Sequence, residues 1–338
     1  MKKILLFEMK SLYRDNMRVY GYLFGADVLF PGESVPVSAA GGDGLFPAEQ
    51  AGTDGASRCE KTIAIVGGMR GNEFTQIYEA SQLVKHLTHL EEQGRIAEGK
   101  TILVIPTVNP YSVNSEKRFW PTDNTDINRM FPGYDKGETT QRVTAALFKI
   151  LDGFRYGIHL TSHYISGNFI PHVKILDTGR DYTESAKAFG LAYIHSASPS
   201  FYDTTTLNYN WQVWETEAYS IYGGDDKNTD PDAASQVINA ILNFMDHNSI
   251  VQFGHHRGYI SSVITDADQK VIKSAHAGFF DCHVRIGDVV HQGQKIASIL
   301  DMGDGSVLEE ITSPCEGIVF FIQSNPLAFA GGQLMLLV

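Results

Sequence analysis

A short segment between Gly67 and Glu73 combines the residue types of a catalytic site with a turn that glycine permits. It follows the apolar run 63–66 and leads into a helical pattern, which is where α/β enzymes place their chemistry. Residues three apart at the start of a helix can converge on one metal ion, so a zinc hydrolase would use a histidine three positions before Glu73. This chain has Arg70 there, whose guanidinium stays protonated and cannot bind a metal.

Two interpretations of this segment follow. Arg70 could take the place of a metal and pair with Glu73, which would keep a positive charge in the pocket without a Lewis acid. Alternatively, a displaced zinc site could combine Glu73 with His159 and His163, which lie on or just after the strand predicted over 156–161. The first interpretation predicts a substrate-binding role for Arg70, and the second predicts a His/His/Glu set of metal ligands.

Two arginines and an asparagine follow the strand predicted over 101–106. Arginine is suited to bidentate capture of a carboxylate and to stabilising a developing oxyanion. Arg118 and Arg129, together with Asn128, therefore predict a pocket for a small substrate that carries a carboxylate. A surface ion pair is the competing interpretation, and the position of both arginines after a strand end favours the functional one.

Two carboxylates, Glu215 and Glu217, occupy alternate positions of a segment that we predict as a strand over 211–219. Alternate residues of a strand share a face, so both side chains could reach one cavity. The aromatic residues within this segment predict partial burial, an environment that suits a general base. Either carboxylate could therefore serve as a general base.

Apolar periodicity predicts the elements that would position these residues. Strands are expected over 63–66, 101–106 and 156–161. Helices are expected over 74–94, 138–151 and 230–247. Strands that alternate with helices predict an α/β fold, with a mixed sheet that helices cover on both faces. A hairpin within residues 1–25 and a flexible insertion over 26–58, rich in Gly, Ala and Ser, are expected before this alternation.

The composition changes near residue 250, and the rest of the chain reads as strands and turns without a helical period. Glycines recur at one spacing, 278 with 293 and 317 with 332, which suggests two copies of a short β unit. This part resembles the biotinyl/lipoyl-type barrel-sandwich hybrid, whose carrier versions need a lysine between the halves. Residues 301–305 contain none, so a structural or access-shaping role is expected. We predict an α/β domain over 1–249 and a small β domain over 250–338.

The bulk composition narrows the class of protein. The chain of 338 residues has 27 Lys and Arg against 39 Asp and Glu, a net charge of −12, which disfavours nucleic acid and anionic membranes as partners. The apolar run at the start ends too early for a signal peptide, and three cysteines without disulfide spacing fit a reducing compartment. We expect a cytoplasmic protein with a small-molecule carboxylate as substrate, and a homo-oligomer stays open.

Three motifs, in this order, make the chain resemble the succinylglutamate desuccinylase/aspartoacylase family, the deacylase branch of the zinc-carboxypeptidase-like (M14-type) hydrolases. They are Gly-Gly-x-x-Gly-x-Glu at 67–73, Asp-x-Asn-Arg-x-Phe-Pro-Gly at 126–133 and Pro-His-Val at 171–173. The resemblance covers about residues 62–338. It implies a carboxypeptidase-like α/β core, a zinc cofactor and a pocket for an N-acyl amino acid or a related amide.

The resemblance also implies a role for each matched position. The three zinc ligands of the family fall on Arg70, Glu73 and Thr161, so two of the three positions hold residues that zinc does not favour. The remaining positions carry the oxyanion-stabilising arginine, the pair that binds the substrate carboxylate, and the general base. These fall on Arg118, on Asn128 with Arg129, and on Glu217, which would activate water, with Glu215 as the alternative.

Three functions are consistent with this assignment. The chain could be an amide-bond hydrolase, a deacylase or metallocarboxypeptidase-like enzyme that acts on a small N-acyl amino acid. It could be a metal-free, inactive relative that binds such a ligand, with Arg70 in place of the zinc. It could also have a structural or assembly role, with the β domain mediating oligomer contacts.

Overall fold

The computed structural model of the chain describes residues 1–10, 15–26, 36–37, 60–225, 229–254 and 258–338. The insertion predicted over 26–58 lies outside these residues apart from positions 26, 36 and 37. Within the described ranges, no helix combines the length and the apolar character that crossing a membrane requires.

The first two-thirds of the chain alternate strands and helices. The strands are β1 (Lys2–Met9), β2 (Met17–Gly25), β3 (Pro36–Val37), β4 (Glu60–Val66), β5 (Lys100–Ile105), β6 (Tyr156–Leu160), β7 (Gly167–Leu176), β8 (Tyr193–Ala197) and β9 (Glu217–Asp225). The helices are α1 (Phe74–Glu92), α2 (Pro110–Val113), α3 (Thr139–Leu151), α4 (Thr183–Ala186), α5 (Leu207–Val213) and α6 (Pro231–His247). Short 3₁₀ helices span Ile127–Arg129, Lys187–Phe189 and Phe201–Thr205.

The rest of the described chain is built almost entirely of strands. They are β10 (Ser262–Thr265), β11 (Lys270–Lys273), β12 (Gly278–Cys282), β13 (Val289–Val290), β14 (Lys295–Leu300), β15 (Val307–Thr312), β16 (Gly317–Gln323), β17 (Leu327–Ala328) and β18 (Gln333–Leu337), with a 3₁₀ turn at Asp266–Asp268. The predicted change from an α/β to a β pattern is therefore present in the structure.

One large mixed sheet organises the molecule. Neighbouring strands follow the order β11-β18-β16-β7-β9-β6-β4-β5-β2-β1-β3, with β8 beside β7 and β10 beside β8. Strands β5, β4, β6 and β9 run parallel to one another, so their carboxyl ends meet at the same edge. Strand β7 lies antiparallel to β9. The crossover helices of such parallel strands cover the faces of the sheet, which confirms the predicted α/β class.

Helices pack on both faces of this sheet, as predicted. Helices α1 and α6 bury their apolar residues on one face, together with Ile158 and Leu160 of β6. Helices α3 and α5 cover the other face. Because side chains alternate along a strand, His159 points away from the core that holds Ile158 and Leu160. The alternation predicted for this strand thus places a polar residue on the face that carries the site.

The prediction of a strand over 211–219 is wrong for its first half. Residues 207–213 form helix α5, which the Thr206 side chain caps by accepting a hydrogen bond from the Tyr209 amide. The chain then turns through Glu215, at a φ of 71°, and β9 begins only at Glu217. Aromatic and β-branched residues favour strands, but Trp211 is fully buried as part of a helix that packs against β6.

The C-terminal strands form a separate antiparallel sheet and also extend the large one. The separate sheet has the order β15-β14-β12-β17, and its residues share an apolar core with those of β16 and β18. Strand β16 pairs with β7, where Phe321 lies opposite Phe169. Residues 301–306, which join β14 to β15, contain no lysine. The expected domain boundary near residue 250 stays a prediction. Strands from the two sides of it pair in one sheet, as β16 does with β7.

Candidate active site

A cavity of about 160 Å³ opens at the carboxyl ends of β4 and β6. Four cationic side chains of the described residues line it: Arg70, Arg118, Arg129 and Lys174. Neutral polar residues, among them His159, Thr161, Ser162, Asn208 and Ser220, complete much of the lining. The cavity is therefore polar and locally cationic, in a protein whose net charge is −12.

The floor of the cavity is a row of residues that crosses three strands. His159 of β6 lies opposite Ser220 of β9, and Ser220 lies opposite Lys174 of β7. The row continues to His195 of β8, which pairs with Lys174 outside the cavity lining. Residues directly opposite each other on neighbouring strands place their side chains on the same face of a sheet. The sheet register, rather than any sequence motif, brings these residues together.

The turn between β4 and α1 is built closely around its glycines. Gly68 has a φ of 53°, in the left-handed region that favours glycine. A Cβ on Gly71 would lie 2.1 Å from backbone atoms of Ser112, so a side chain at this position would push the two segments apart. The turn therefore places Arg70 and Glu73 at a fixed position beside the end of β6.

Arg70 is 3% exposed and is held by two carboxylates. Its Nη1 lies 3.0 Å from Oε1 of Glu73, and its Nη2 lies 3.0 Å from Oδ2 of Asp126. Its Nη1 also donates to Thr161 Oγ1 at 3.2 Å. Burial opposes the charged form of Arg70, but Asp126 and Glu73 outweigh it and raise the pKa of the guanidinium further. Arg70 is therefore a buried cation with a fixed geometry.

The carboxylates of Glu73 and Asp126, which hold Arg70, are also fixed in place. Glu73 is fully buried and accepts hydrogen bonds from the amide and the Oγ of Ser162, at 3.2 and 2.9 Å, and from the amide of Arg70 at 3.0 Å. Burial alone would raise the pKa of Asp126, but the charge and hydrogen bonds of Arg70, with a smaller contribution from Arg118, hold it below its usual value. Both carboxylates therefore serve as partners of Arg70.

This donor set does not fit zinc. Glu73, the expected ligand, is saturated by hydrogen bonds, and Arg70 and Thr161 stand at the two positions where the resemblance places histidines. Across the described ranges, no three side chains of His, Cys, Asp or Glu converge as metal ligands do. The alternative His/His/Glu site of Glu73 with His159 and His163 is therefore wrong for the described structure.

The two histidines instead have separate environments. His159 is 1% exposed, and its Nε2 has no hydrogen-bond partner among the described residues. Burial lowers its pKa to about 4, although Glu73 partly opposes this effect. The Nδ1 of His163 accepts a hydrogen bond from the Ile165 amide, and its ring packs against Phe169. Burial, followed by the charge of Lys174, lowers the pKa of His163 to about 4. Both rings are therefore neutral near pH 7.

The three residues expected to bind substrate all line the cavity. Arg118 donates from Nη1 to the His163 carbonyl at 2.9 Å, and its guanidinium lies 5.5 Å from the ring centre of Tyr164. The Oδ1 of Asn128 accepts from the Leu207 amide at 3.2 Å. Arg129 lies 3.8 Å from Asp203. Their positions agree with the expected roles, and the roles themselves stay predictions.

Glu217 does not reach the cavity, so its expected role as the general base disagrees with the structure. It is the first residue of β9 and lies opposite Tyr156, at the amino end of both strands. Three residues of strand, about 10 Å, separate it from Ser220 in the cavity floor. Its carboxylate accepts a hydrogen bond from the Tyr219 hydroxyl. The alternative, Glu215, is exposed and pairs with Arg180.

Three residues of the site, Lys174 and Ser162 in the cavity lining and Asp126 behind Arg70, are not among the residues predicted from the sequence. Asp126 opens one of the three motifs, but no role is predicted for it. Lys174 follows the Pro-His-Val motif directly, and only the pairing of β7 with β9 shows that it joins the cavity floor. Ser162 was not predicted either, and its amide and hydroxyl bind Glu73. Of these residues, only Asp126 has a signal in the sequence, because it is an acidic residue in the same motif as Arg129.

Comparison with known proteins gives a consistent result. The sequence model of the succinylglutamate desuccinylase/aspartoacylase catalytic domain matches residues 59–247. An N-alpha-acetyl-L-2,4-diaminobutyric acid deacetylase of Halomonas elongata is 26% identical over 253 residues, which cover 71% of each chain. The match to the catalytic-domain model spans more than half of the chain, including every cavity residue.

Solved structures share the fold. A succinylglutamate desuccinylase from Silicibacter sp. TM1040 superposes with a TM-score of 0.75 at 14% identity, covering 96% of this chain and 91% of that one. The product-bound ectoine utilization protein EutE (DoeB) from Ruegeria pomeroyi gives a TM-score of 0.72 at 14% identity, with 95% and 89% covered. At these identities, the likeness concerns the fold, and it includes the C-terminal strands.

Proposed function

We propose that this chain, which belongs to the succinylglutamate desuccinylase/aspartoacylase family, hydrolyses the amide bond of a small N-acyl amino acid. The observation that carries the proposal is the cavity, in which four cationic side chains of the described residues face a space of about 160 Å³. A space of this size admits a small anionic ligand. The relative from Halomonas elongata is named a deacetylase, which supports the same class of reaction.

The carboxylate of the amino acid would bind at Asn128 and Arg129. Arg129 donates to the Tyr202 carbonyl, and the other donors of its guanidinium can reach a ligand. The Nδ2 of Asn128 donates to no residue in the described ranges, whereas its Oδ1 is held by the Leu207 amide. A planar guanidinium and an amide at adjacent positions can hold both oxygens of a carboxylate.

The amide bond would then lie between Arg118 and His159. Water attacks the carbonyl carbon as His159 accepts a proton from it, and Arg118 stabilises the oxyanion that forms. The same proton passes to the leaving nitrogen as the C–N bond breaks, which yields the free acyl carboxylate and the amino acid. His159 suits this step because it is neutral, buried and part of the cavity lining. No step depends on a metal ion.

Binding without hydrolysis is the second candidate, and one observation favours it. The guanidinium of Arg70 forms ion pairs with both Glu73 and Asp126, so a positive charge is fixed where the resemblance places zinc. Such a charge can attract the carbonyl oxygen or a carboxylate of a ligand, but it supplies no activated water. The protein would then capture the ligand and release it unchanged.

A turnover assay on metal-depleted protein separates the two candidates. A panel of N-acetyl and N-succinyl amino acids is incubated with the wild type and with His159→Gln, and the release of free amine is followed. Turnover that falls at least about 100-fold in His159→Gln supports the hydrolase. Calorimetric binding without turnover, with or without added zinc, supports the second candidate. The absence of both binding and turnover contradicts both.

A further inference from the structure

Ser220 lies between His159 and Lys174 in the cavity floor, and the roles assigned above leave its hydroxyl unused. We infer that the Ser220 hydroxyl donates a hydrogen bond to the carbonyl oxygen of the amide, and that a buried chain of side chains holds it in this donor role. Ser220 is then a second catalytic residue for the oxyanion, beside Arg118. The inference rests on the proposed function, because it takes the ligand to be an N-acyl amino acid.

The buried chain of side chains runs from helix α5 to the cavity floor. Asn208 and Gln212 are four positions apart, so their side chains lie on the same side of the helix, and both are buried. The Nδ2 of Asn208 donates to the Oγ of Ser220 at 2.8 Å. The Nε2 of Gln212 donates to the Oδ1 of Asn208 at 3.1 Å and to the Ala218 carbonyl at 3.2 Å. At the far end, the Thr178 hydroxyl donates to the Oε1 of Gln212 at 2.7 Å.

The Ala218 carbonyl fixes the direction of the hydrogen bonds in this chain. A carbonyl oxygen only accepts, so the atom of Gln212 that faces it must be the amide nitrogen. Because the same nitrogen also donates to Asn208, the atom of Asn208 that it meets is the oxygen. The amide nitrogen of Asn208 therefore faces Ser220, and it can only donate. The Oγ of Ser220 accepts this bond and keeps its own hydrogen for another partner.

The hydroxyl hydrogen of Ser220 has no acceptor among the residues that the structure describes. The Nε2 of His159, at the opposite position of β6, does not accept it. Ser220 lines the cavity, so an acceptor atom of the ligand can complete its hydrogen bonding. A hydroxyl that already accepts a hydrogen bond is the stronger donor, because the bonds in such a chain polarise one another.

The position of Ser220 identifies the amide carbonyl as this acceptor. The proposed function places the amide between Arg118 and His159, and Ser220 lies one strand spacing, about 4.8 Å, from His159. A carbonyl oxygen between the guanidinium and the hydroxyl gains negative charge as water attacks, so both donors bind it more strongly in the transition state. The hydroxyl is already held by Asn208, and it stabilises this charge without rearranging.

Ser220→Ala tests the donor on the full chain, with whichever member of the panel of N-acetyl and N-succinyl amino acids the wild type hydrolyses fastest. Loss of one oxyanion donor should lower kcat about 100-fold and change KM by less than about threefold.

Asn208→Asp tests the orientation of the hydroxyl. An ionised carboxylate only accepts, so it takes the hydrogen of Ser220 and turns it away from the ligand. This variant should lower kcat about as much as Ser220→Ala, although the hydroxyl is still present. In the double variant Ser220→Ala/Asn208→Asp, the two losses should not add, because both remove the same hydrogen bond.

Thr178→Val is the matched control. It removes the hydroxyl at the far end of the chain, but the Ala218 carbonyl still orients Gln212, so kcat should stay within about twofold of the wild type. Circular dichroism checks that each variant is folded, and Ser220→Ala alone decides if Asn208→Asp is not.

Three outcomes would count against the inference. A folded Ser220→Ala protein with the kcat of the wild type overturns it and leaves the proposed function intact. Losses that add fully in the double variant do the same, because Asn208 would then act independently of Ser220. If the wild type hydrolyses no member of the panel, the proposed function fails and the inference fails with it.

Discussion

The Nη1 of Arg70 lies 3.0 Å from the Oε1 of Glu73, and both side chains are almost completely removed from solvent. The two residues are three positions apart and stand just before helix α1. Asp126 completes the arrangement from a distant loop, with its Oδ2 3.0 Å from the Nη2 of Arg70. One guanidinium thus connects the β4–α1 turn with the loop that carries Asn128 and Arg129.

Replacing Arg70 should destabilise the fold strongly. Arg70→Met leaves Glu73 as a buried carboxylate without its cation, and we expect a loss of about 3–5 kcal/mol in the free energy of unfolding. Urea denaturation followed by circular dichroism measures it. The double variant Arg70→Met/Glu73→Gln should recover part of the loss, because it removes the stranded charge as well.

The control for this prediction is Arg180→Met. Arg180 pairs with Glu215 at 3.3 Å, but both side chains are exposed. Surface pairs of this kind contribute about 1 kcal/mol or less, so this variant should unfold nearly as the wild type does. An Arg70→Met protein as stable as the Arg180→Met protein would contradict a structural role for the buried ion pair.

A zinc site should appear when two residues are exchanged. Arg70→His/Thr161→His places two imidazoles beside Glu73. It also removes the guanidinium that now pairs with the Glu73 carboxylate. Three such ligands suit a zinc ion that keeps one open position. We expect elemental analysis to find about one zinc per chain in the double variant and far less in the wild type. Stoichiometric zinc that the wild type retains through chelation would refute our interpretation of the donor set.

Much of the architecture could be predicted from the sequence, because it follows from local periodicity. The turn at 67–73, helices α1, α3 and α6, and the polar face of β6 all follow from the spacing of apolar residues and from glycine. The expectation that Arg118, Asn128 and Arg129 would share a cavity follows from their position after strand ends. These features need only neighbouring residues to be recognised.

The rest depends on contacts between distant segments. Glu217 was expected in the cavity because 211–219 reads as one strand, whereas the Thr206 cap starts a helix and the strand begins six residues later than expected. Lys174 could not be predicted, because its place depends on the antiparallel register of β7 against β9. No sequence pattern encodes which residue of one strand faces which residue of another.

Acid should destabilise the protein before its carboxylates are protonated. Burial lowers the pKa of His172 to about 3, below the value of about 6.5 in an unfolded chain. The unfolded state therefore binds a proton first, and stability falls as the pH drops from about 6.5 towards 3. His172→Phe, which keeps a ring against Tyr222, should flatten this part of the profile. The measurement is the urea midpoint between pH 8 and pH 4.

The matched control for the pH profile is His89→Phe. His89 is exposed on helix α1, with 70% of its side chain accessible, so its replacement should leave the slope between pH 6.5 and 4 unchanged. An equally steep profile in His172→Phe would show that other groups account for the acid sensitivity.

Glu217→Gln should leave activity close to that of the wild type. Glu217 lies opposite Tyr156 at the amino end of β9, whereas the cavity floor is formed at Ser220 and beyond. The glutamine keeps an oxygen that can accept from the Tyr219 hydroxyl, so we expect kcat within about twofold and a loss of stability of about 1 kcal/mol or less. His159→Gln, assayed beside it on the same N-acyl amino acid, should lose far more. A Glu217→Gln protein that folds normally but loses as much activity as His159→Gln would show that the carboxylate at the far end of the strand takes part in the reaction, against its position in the fold.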